Sequence, residues 1–356
     1  MALLWVDKHR PKTLDEVDYH KDLSNRLKRI AREESRSNMP HMLFTGPPGA
    51  GKSTRVHALL REIYGPGVDV IKVETRTVAP NPNTPSSTVD LQVVVSNHHL
   101  AVTPSDIGRK DRAVVMQLIK EVASHPPLGG HTFKVVVIDE AGALSADAQA
   151  ALRRTMERYM KTCRIILSCE SASKIIAPLR SRCLAIRVGR PGVEEAASIL
   201  QTVAGKEGVK VDLDLARRVV EKTDRDLRRA LLLLETTHAT APGSVLPSSS
   251  VLPQEAWETA IEKVAKKILA EQSPRMAMEV RGNMYELLAA CLPADFIIKE
   301  LLKKLLVGQK SDTLKQKAVA AAAHFESTMR LGSKDIFHLE AFVLRFMADF
   351  KQAGGR

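Results

Sequence analysis

Eight consecutive residues have the composition of a loop that binds phosphate. They read Gly46, Pro47, Pro48, Gly49, Ala50, Gly51, Lys52 and Ser53, which fits the pattern G-x-x-x-x-G-K-[ST]. Glycines let backbone N–H groups converge on phosphate oxygens, and a following helix directs its positive end at the same anion. We expect Lys52 to reach the β- and γ-phosphates of ATP and the Ser53 hydroxyl to bind Mg²⁺, with Thr54 beside them.

Two carboxylates end an apolar segment farther along the chain, where Val135-Val-Val-Ile is followed by Asp139 and Glu140. Asp139 is expected to hold Mg²⁺ through water, and Glu140 to orient and deprotonate an attacking water. Strands often exit into acidic loops, so the pair alone is weak evidence. Together with the phosphate loop it predicts an ATP-hydrolysing site.

Alternating strands and helices surround these motifs. Leu23, Leu27 and Ile30 lie at helical spacing, and another amphipathic helix should follow the loop directly. The predicted helices cover about 15–34, 106–124 and 145–160, and the predicted strands cover 42–45, 68–73, a β-like run near 91–102, 134–138, 164–168 and 184–188. Such alternation is typical of a parallel sheet covered by helices on both faces.

The rest of the chain has helical periodicity, at about 193–205, 212–222, 225–238 and throughout 254–352. A stretch rich in Pro, Ser and Gly at 242–253 suggests a linker. We therefore expect an α/β fold in which a P-loop nucleotide-binding domain carries a small helical lid and an all-helical C-terminal domain. The expected ranges are 1–190 for the nucleotide-binding domain, 191–241 for the lid, 242–253 for the linker and 254–356 for the C-terminal domain.

Composition narrows the class of protein. The 356 residues carry a formal net charge of +12, which favours a polyanionic partner such as nucleic acid over an ordinary solvated surface. The four cysteines form no C-x-x-C pair, so we expect a reducing compartment and no zinc site. Apolar runs fall short of the roughly 18 residues that a membrane span needs. We expect a soluble intracellular protein with no membrane partner.

Three short segments resemble one family. Leu4-Trp5-Val6-Asp7-Lys8-His9-Arg10-Pro11 looks like the N-terminal box of replication factor C small subunits, the eukaryotic sliding-clamp loaders of the AAA+ superfamily. Ser181-Arg182-Cys183 resembles the arginine-finger motif of that family, and Asp226-Leu227-Arg228-Arg229-Ala230 resembles its lid sensor segment. Further similar stretches begin at Ser96, Glu279 and Leu331, so the resemblance extends from residue 4 to about 350.

The resemblance implies roles for single residues. Val6 and Arg10 would lie near the adenine and the phosphates, and Arg228 would reach the nucleotide from the lid. Arg182 would point into the site of a neighbouring subunit and stabilise charge on the γ-phosphate. The alternatives from the residues alone are a surface cation for Arg182 and a solvated helix face for Arg228.

The resemblance also implies the surroundings of the protein. It predicts a nuclear hetero-pentamer with the other replication factor C subunits, held by a helical C-terminal collar and acting on the sliding clamp and primer–template DNA. Arg109, Lys110 and Arg112 would follow the DNA backbone without reading its sequence, although a charged first turn is common on any surface helix.

One departure from the family bears on catalysis. Its small subunits usually carry Asn after the strand that follows the acidic motif, where this chain has Glu170. A carboxylate near polyphosphate is repelled unless it is protonated or turned away. A second hypothesis is therefore a nucleotide-binding structural subunit that donates Arg182 and hydrolyses little ATP itself. A different AAA+ protein, such as a helicase loader, is disfavoured by the C-terminal resemblance.

Overall fold

The computed structural model describes residues 3–32, 39–78, 89–103, 111–124, 133–240, 243–329, 331–332 and 334–353. The chain divides into two compact units, Met1–Leu252 and Pro253–Arg356. Within the described residues, no helix is long and apolar enough to cross a membrane.

A seven-stranded sheet forms the centre of the first unit, with the spatial order β2-β3-β4-β5-β6-β1-β7. Its five strands from β4 to β7 in that order run parallel, whereas β2, β3 and β4 pair in antiparallel fashion. The strands are β1 (His41–Thr45), β2 (Lys72–Val78), β3 (Val89–Val95), β4 (His99–Val102), β5 (Lys134–Ile138), β6 (Cys163–Cys169) and β7 (Cys183–Arg187).

Two sequence predictions differ from this sheet. The sheet is mixed rather than wholly parallel, because the run near 91–102 folds into two strands joined by a tight turn. The strand predicted at 68–73 begins too early, since Pro66 opens a 3₁₀ turn over Pro66–Asp69 in which Val68 is fully buried. Strand β2 starts only at Lys72, and the exposed Val73 lies on it.

Helices cover both faces of the sheet. Val136 and Ile138 belong to one apolar cluster and Val135 and Val137 to another, as the alternation of side chains along a strand requires. The helices that cover the sheet are α2 (Lys21–Ala31), α3 (Lys52–Tyr64), α4 (Asp111–Ser124), α5 (Ala146–Arg158) and α6 (Ala177–Arg180), and the short helix α1 (Trp5–Lys8) precedes them in the chain. Ser145 caps α5 by accepting a hydrogen bond from the Ala148 amide at 3.2 Å.

Three further helices, called here the lid helices, complete the first unit: α7 (Val193–Lys206), α8 (Leu213–Lys222) and α9 (Leu227–Thr240). Trp5 of α1 is buried in their apolar cluster. The stretch expected to be a linker contains strand β9 (Val245–Leu246), which pairs in parallel with β8 (Lys210–Val211). Leu246 is buried in the same cluster, so this stretch packs on the lid helices.

The second unit is entirely helical over its described residues. Its helices are α10 (Ala256–Ala270), α11 (Pro274–Ala289), α12 (Ala294–Leu306), α13 (Asp312–Met329) and α14 (Asp335–Gln352). Ser273 caps α11, with Pro274 at its first position, and aliphatic and Phe side chains from all five helices form one core. The predicted breaks at Ser273, Pro293, Gly308 and Gly332 all fall between helices.

Candidate nucleotide-binding site

The phosphate loop opens onto a cavity of about 730 Å³ in the first unit, a size that is typical of ligand sites. Strands β1, β5 and β6 end at its floor, α3 leads away from it, and the lid helices and the N-terminal segment form its walls. The predicted site residues that line it are Val6, Arg10, Pro48, Gly49, Gly51, Lys52, Ser53, Thr54, Asp139, Glu140, Glu170 and Arg228. Three other loop residues, Gly46, Pro47 and Ala50, do not line it.

Close neighbours explain two of the loop glycines. Gly46 has a φ of 155°, and a Cβ added there would lie 2.0 Å from the carbonyl oxygen of Val188. Gly49 has a φ of 67°, and a Cβ there would lie 1.8 Å from the Asp226 carboxylate. Glycine is therefore required at both positions for close approach as well as for backbone conformation. The loop is held between the strand edge and the start of α9.

The Lys52 side chain folds over the loop that precedes it. Its Nζ donates to the carbonyl oxygens of Gly46 at 2.7 Å and Pro47 at 2.9 Å. Burial lowers the pKa of Lys52, while the nearby Glu170 acts in the opposite direction. An ammonium group has three N–H donors, so these two contacts leave one donor directed elsewhere. The lysine is thus fixed at the cavity with capacity for a further acceptor.

Asp139 lies at the end of β5, as the sequence predicts, and accepts hydrogen bonds from the hydroxyls of Ser168 and Ser53. Burial raises the pKa of Asp139, the hydrogen bond from Ser168 opposes that shift, and the neighbouring Glu140 charge adds to it. Glu140 has a left-handed φ of 51°, which is uncommon for a residue other than glycine. The two carboxylates and Ser53 provide oxygen ligands of the kind that Mg²⁺ prefers.

The residue beside Asp139 on β6 is Ser168 rather than Glu170. Ser168 is buried, whereas Glu170 follows the last residue of the strand and has a side chain that is 60% exposed. The Glu170 carboxylate forms an ion pair with Lys174 at 3.8 Å, and Lys174 also lines the cavity. Neither Ser168 nor Lys174 received a role from the sequence, although the position of Lys174 four residues after Glu170 was an available signal.

The N-terminal segment connects two walls of the cavity. Arg10 Nε donates to Thr54 Oγ1 of α3 at 3.3 Å. On the other side, Lys8 and His9 both form ion pairs with Glu207, directly after α7. Val6 lies within this segment and lines the cavity, so the residues predicted to approach the base and the phosphates are brought to one place.

Asp226 was quoted with the sensor segment, but only Arg228 received a role from the sequence. The buried Asp226 side chain accepts hydrogen bonds from the amides of Arg228 at 2.9 Å and Arg229 at 3.1 Å. It therefore caps α9 while lying against Gly49. An acidic residue just before a helical pattern is a capping signal that the sequence does carry.

Tyr19 and Arg55 support the loop from behind, and no sequence pattern predicts either role. The Tyr19 hydroxyl donates to the Ala50 carbonyl oxygen at 2.9 Å. Arg55 is fully buried, donates to the Tyr19 carbonyl oxygen at 2.8 Å and lies 4.3 Å from the centre of the Tyr19 ring. These contacts fix the loop backbone between α2 and α3.

The remaining predicted residues lie elsewhere. Arg182 follows the short helix α6 and is not among the described residues that line the cavity. Its Nε donates to Glu157 Oε1 on α5 at 2.7 Å. Arg112 is exposed on α4, whereas Arg109 and Lys110 lie outside the described residues. Arg182 and Arg112 are thus separate from this cavity.

Three family models match successive parts of the chain. Residues 42–190 match the ATPase family associated with various cellular activities (AAA). Residues 198–239 match the RCF1/5-like AAA+ ATPase lid domain. Residues 257–353 match the C-terminal domain of replication factor C subunit 3.

Solved structures show a related fold. The chain resembles the RuvB Holliday junction branch migration motor of Thermotoga maritima with a TM-score of 0.50 at 17% identity, covering 73% of this chain and 79% of that one. A variant of the same protein gives a TM-score of 0.53 at 16% identity, covering 84% and 90%. At this identity the likeness supports the AAA+ fold alone.

Curated relatives match almost the whole chain. Replication factor C subunit 3 of Mus musculus is 44% identical, covering 98% of this chain and 96% of its own length. Replication factor C subunit 5 of Schizosaccharomyces pombe is 45% identical, covering 97% and 96%. Subunit 3 of Arabidopsis thaliana is 42% identical, covering 98% of each. With the matching C-terminal domain, these similarities show that the chain belongs to the replication factor C small subunits, the clamp-loader branch of the AAA+ superfamily.

Proposed function

We propose that the chain binds ATP with Mg²⁺ in the cavity at the phosphate loop and acts as one small subunit of a clamp loader. In that complex it would help to place the sliding clamp on primer–template DNA in the nucleus, in replication and repair. The observation that supports this most is the convergence of four separate segments on one cavity. The loop, the Asp139–Glu140 pair, the N-terminal segment and Arg228 of the lid all line it.

The residues present fit a magnesium-bound nucleoside triphosphate. Gly49 and Gly51 have left-handed φ values and lie beside Lys52, which has an N–H left for a phosphate oxygen. Ser53 and Asp139 lie within hydrogen-bonding reach of each other, and one or two carboxylates usually suffice for Mg²⁺ when phosphates supply the other oxygens. Val6 and Arg10 would lie near the adenine and the phosphates of the ligand.

Bound Mg²⁺–ATP supplies a γ-phosphate whose transfer to water releases the free energy of the cycle. In the proposal, Glu140 accepts the proton of the attacking water and Lys52 offsets the charge of the phosphates. Arg228 contacts the same nucleotide from α9, whose first turn is held against the loop by Asp226. A ligand that joins Lys52 to Arg228 would therefore couple the loop to the lid helices.

Glu170 is compatible with hydrolysis in this proposal. Its carboxylate is paired with Lys174 and largely exposed, so solvent and a neighbouring cation reduce its repulsion of a polyphosphate. Ser168, rather than Glu170, is the partner of Asp139. These contacts give no particular support to the structural-subunit alternative.

The partners follow from family membership. We propose a hetero-pentamer with the other replication factor C subunits, in which the helical second unit contributes to a collar and Arg182 serves the nucleotide site of a neighbour. Within the first unit, we propose a boundary near residue 190 between the ATP-binding domain and the lid. Arg112, which is exposed on α4, is the described candidate for contact with the DNA backbone.

Reconstitution tests the proposal. The purified chain, mixed with the other four subunits of a replication factor C complex, should co-elute with them in one pentameric species. That species should load the clamp on primed DNA in an ATP-dependent manner. Exclusion of this chain from the complex would overturn the assignment.

Two substitutions in the reconstituted complex separate hydrolysis in this chain from a purely structural role. Glu140→Gln should slow clamp loading if the chain hydrolyses ATP, because the attacking water loses its base. Arg182→Ala should slow it through the neighbouring site. A loss with Arg182→Ala and none with Glu140→Gln would favour the structural alternative.

A further inference from the structure

We propose that Glu157 is a positioning residue for Arg182, holding the guanidinium in the orientation in which it is presented to an anion of a neighbouring subunit. This inference rests on the proposed role of Arg182 at that neighbouring site. It concerns a contact within this chain, between the last turn of α5 and the residues after α6. The anion would be the terminal phosphate of the nucleotide held by the neighbour.

The Arg182 guanidinium is fixed at two of its three nitrogens. Nε donates to Glu157 Oε1 at 2.7 Å, and Nη1 donates to the Pro178 carbonyl oxygen at 2.9 Å. A weaker contact joins Nη1 to Ser181 Oγ at 3.5 Å. The contacts described for this side chain leave Nη2 with its two N–H donors available, in a plane that the other bonds define.

Both elements that carry this pair are anchored in the core. Leu152 and Met156 of α5 and Leu179 of α6 are buried in the same apolar cluster. The Arg182 amide donates to the Leu179 carbonyl oxygen at 3.1 Å, which sets the start of the side chain. Glu157 therefore lies on a helix that is packed in the core, and Arg182 lies in the two-residue turn that joins α6 to β7.

Glu157 also approaches a second cation. Arg153, one turn earlier on α5, has its Nε 3.6 Å from the same carboxylate oxygen. Two guanidinium groups beside one carboxylate leave a net positive charge at an exposed surface. An incoming phosphate would therefore meet Arg153 and Arg182 already held close together by Glu157, and less rotamer freedom would be lost on binding.

An ordinary surface ion pair contributes little to folding, and this one is exposed at both ends. Its consequence is expected in the rate at the neighbouring site rather than in stability. Fixing the side chain beforehand removes part of the rotamer entropy that Arg182 would otherwise lose in the transition state. The structure thus assigns Glu157 an effect through Arg182, without contact to the nucleotide.

The first test measures ATP hydrolysis by the reconstituted complex with clamp and primed DNA. Glu157→Ala should lower kcat for the neighbouring site roughly 3- to 5-fold and leave KM unchanged, and Glu157→Gln, which keeps an oxygen acceptor, should lower it less. In an Arg182→Ala background, Glu157→Ala should have no further effect. The matched control is Glu194→Ala, which breaks the exposed pair with Arg217 on the lid helices and should leave the rate unchanged.

The second test needs no hydrolysis. In the full-length chain, NMR relaxation of the arginine Nε–H groups should show Arg182 as one of the rigid side chains, with its signal assigned by its loss in Arg182→Ala. Glu157→Ala should make Arg182 mobile and leave Arg217 unaffected. Glu194→Ala should do the reverse.

The outcomes are separable. Slow hydrolysis with Arg182→Ala and a normal rate with Glu157→Ala would overturn this inference and leave the proposed function intact. An equal effect of Glu157→Ala in the presence and absence of Arg182, or an Arg182 Nε–H that is equally rigid in both chains, would also overturn it. A normal rate with Arg182→Ala would remove the proposed neighbouring-site role of Arg182 and this inference together.

Discussion

The two units of the chain differ in how many polar side chains they bury. In the first unit, charged or hydrogen-bonding side chains are buried beside the phosphate loop, among them Arg55, Ser168 and Asp226. In the described part of the second unit, Asp349 is the one polar side chain of that degree of burial. The second unit has an aliphatic and Phe core, whereas the first places polar groups where a ligand would meet them.

This difference reflects two roles of buried side chains, which are to position a ligand and to stabilise the fold. Burying a polar group costs free energy unless it is hydrogen bonded, so a polar interior persists where geometry matters more than stability. An apolar core has no such requirement and stabilises in proportion to the area that it buries. Substitutions of the polar side chains at the phosphate loop should therefore change ligand binding, and substitutions in the apolar core of the second unit should change folding.

The largest expected effect is on the stability of the second unit. Leu339→Ala removes a fully buried side chain from α14 and should lower the free energy of unfolding of this unit by about 2–5 kcal/mol. Trp257 lies against the core of this unit, so its fluorescence in a Trp5→Phe background reports the transition. Leu344→Ala, on the same helix but 47% exposed, should cost less than about 1 kcal/mol. Equal losses for the two variants would contradict the comparison.

Lys52→Ala should have the next largest effect, and it should affect binding alone. Loss of a charge-assisted contact to the phosphates should weaken ATP binding on the order of 100-fold. The thermal midpoint of the ligand-free chain should stay nearly unchanged. Titration with a fluorescent ATP analogue measures the affinity, with the exposed Lys161→Ala as control. A fall in the thermal midpoint large enough to explain the lost binding would show that Lys52 acts on folding rather than on binding alone.

Asp139→Asn should weaken the binding of Mg²⁺–ATP and stabilise the ligand-free protein. Burial raises the pKa of Asp139 in the folded chain, so the ionised carboxylate is penalised there but not in the unfolded chain. The variant should therefore melt at a higher temperature than the parent at pH 8. The gain should shrink as the pH falls through the raised pKa, and it should vanish below the ordinary carboxyl pKa, where both states are neutral.

The measurement for Asp139→Asn is a series of thermal melts from pH 8 to pH 4 without nucleotide, together with Mg²⁺-dependent ATP titrations. Affinity for Mg²⁺–ATP should fall as stability rises. Asp147→Asn, exposed in the first turn of α5, removes a charge that favours a helix N-terminus and should give no gain. A destabilised Asp139→Asn at pH 8 would show that the hydrogen bonds from Ser53 and Ser168 outweigh burial.

The smallest expected effect concerns Glu170. Glu170→Gln removes an exposed negative charge near Lys52 and should raise ATP affinity only about 2- to 3-fold. Lys174→Met should lower it by a similar factor. Both changes should shrink in 0.5 M salt, which screens exposed charges. A change of sign between low and high salt would show that Glu170 acts by geometry instead.

Local patterns in the sequence predicted most of the fold and the centre of the site. The loop at 46–53 and the acidic pair after β5 each consist of residues adjacent in the sequence, so they can be recognised without a structure. The five helices of the second unit were equally accessible, because Pro and Gly mark the breaks between them. Reliance on local patterns also explains the misplaced start of the strand at 68–73. An apolar run does not reveal that Pro66 begins a 3₁₀ turn.

The supporting residues of the site were not predictable, because their contacts join distant parts of the chain. Tyr19 meets Ala50 only after α2 packs beside α3, and Ser168 meets Asp139 only through the pairing of β5 with β6. No periodicity or spacing encodes such meetings. Asp226 is the intermediate case, since its role as a helix cap could be predicted from the sequence but its contact with Gly49 could not.

Consecutive residues of the N-terminal segment hold opposite walls of the cavity. His9 is paired with Glu207 at the end of α7, and Arg10 is hydrogen bonded to Thr54 at the start of α3. The Cα atoms of two residues joined by a trans peptide stay about 3.8 Å apart in every conformation. This peptide therefore ties the end of α7 to the start of α3. The two helices can separate here only if Glu207 loses its contacts with Lys8 and His9, or if Arg10 releases Thr54.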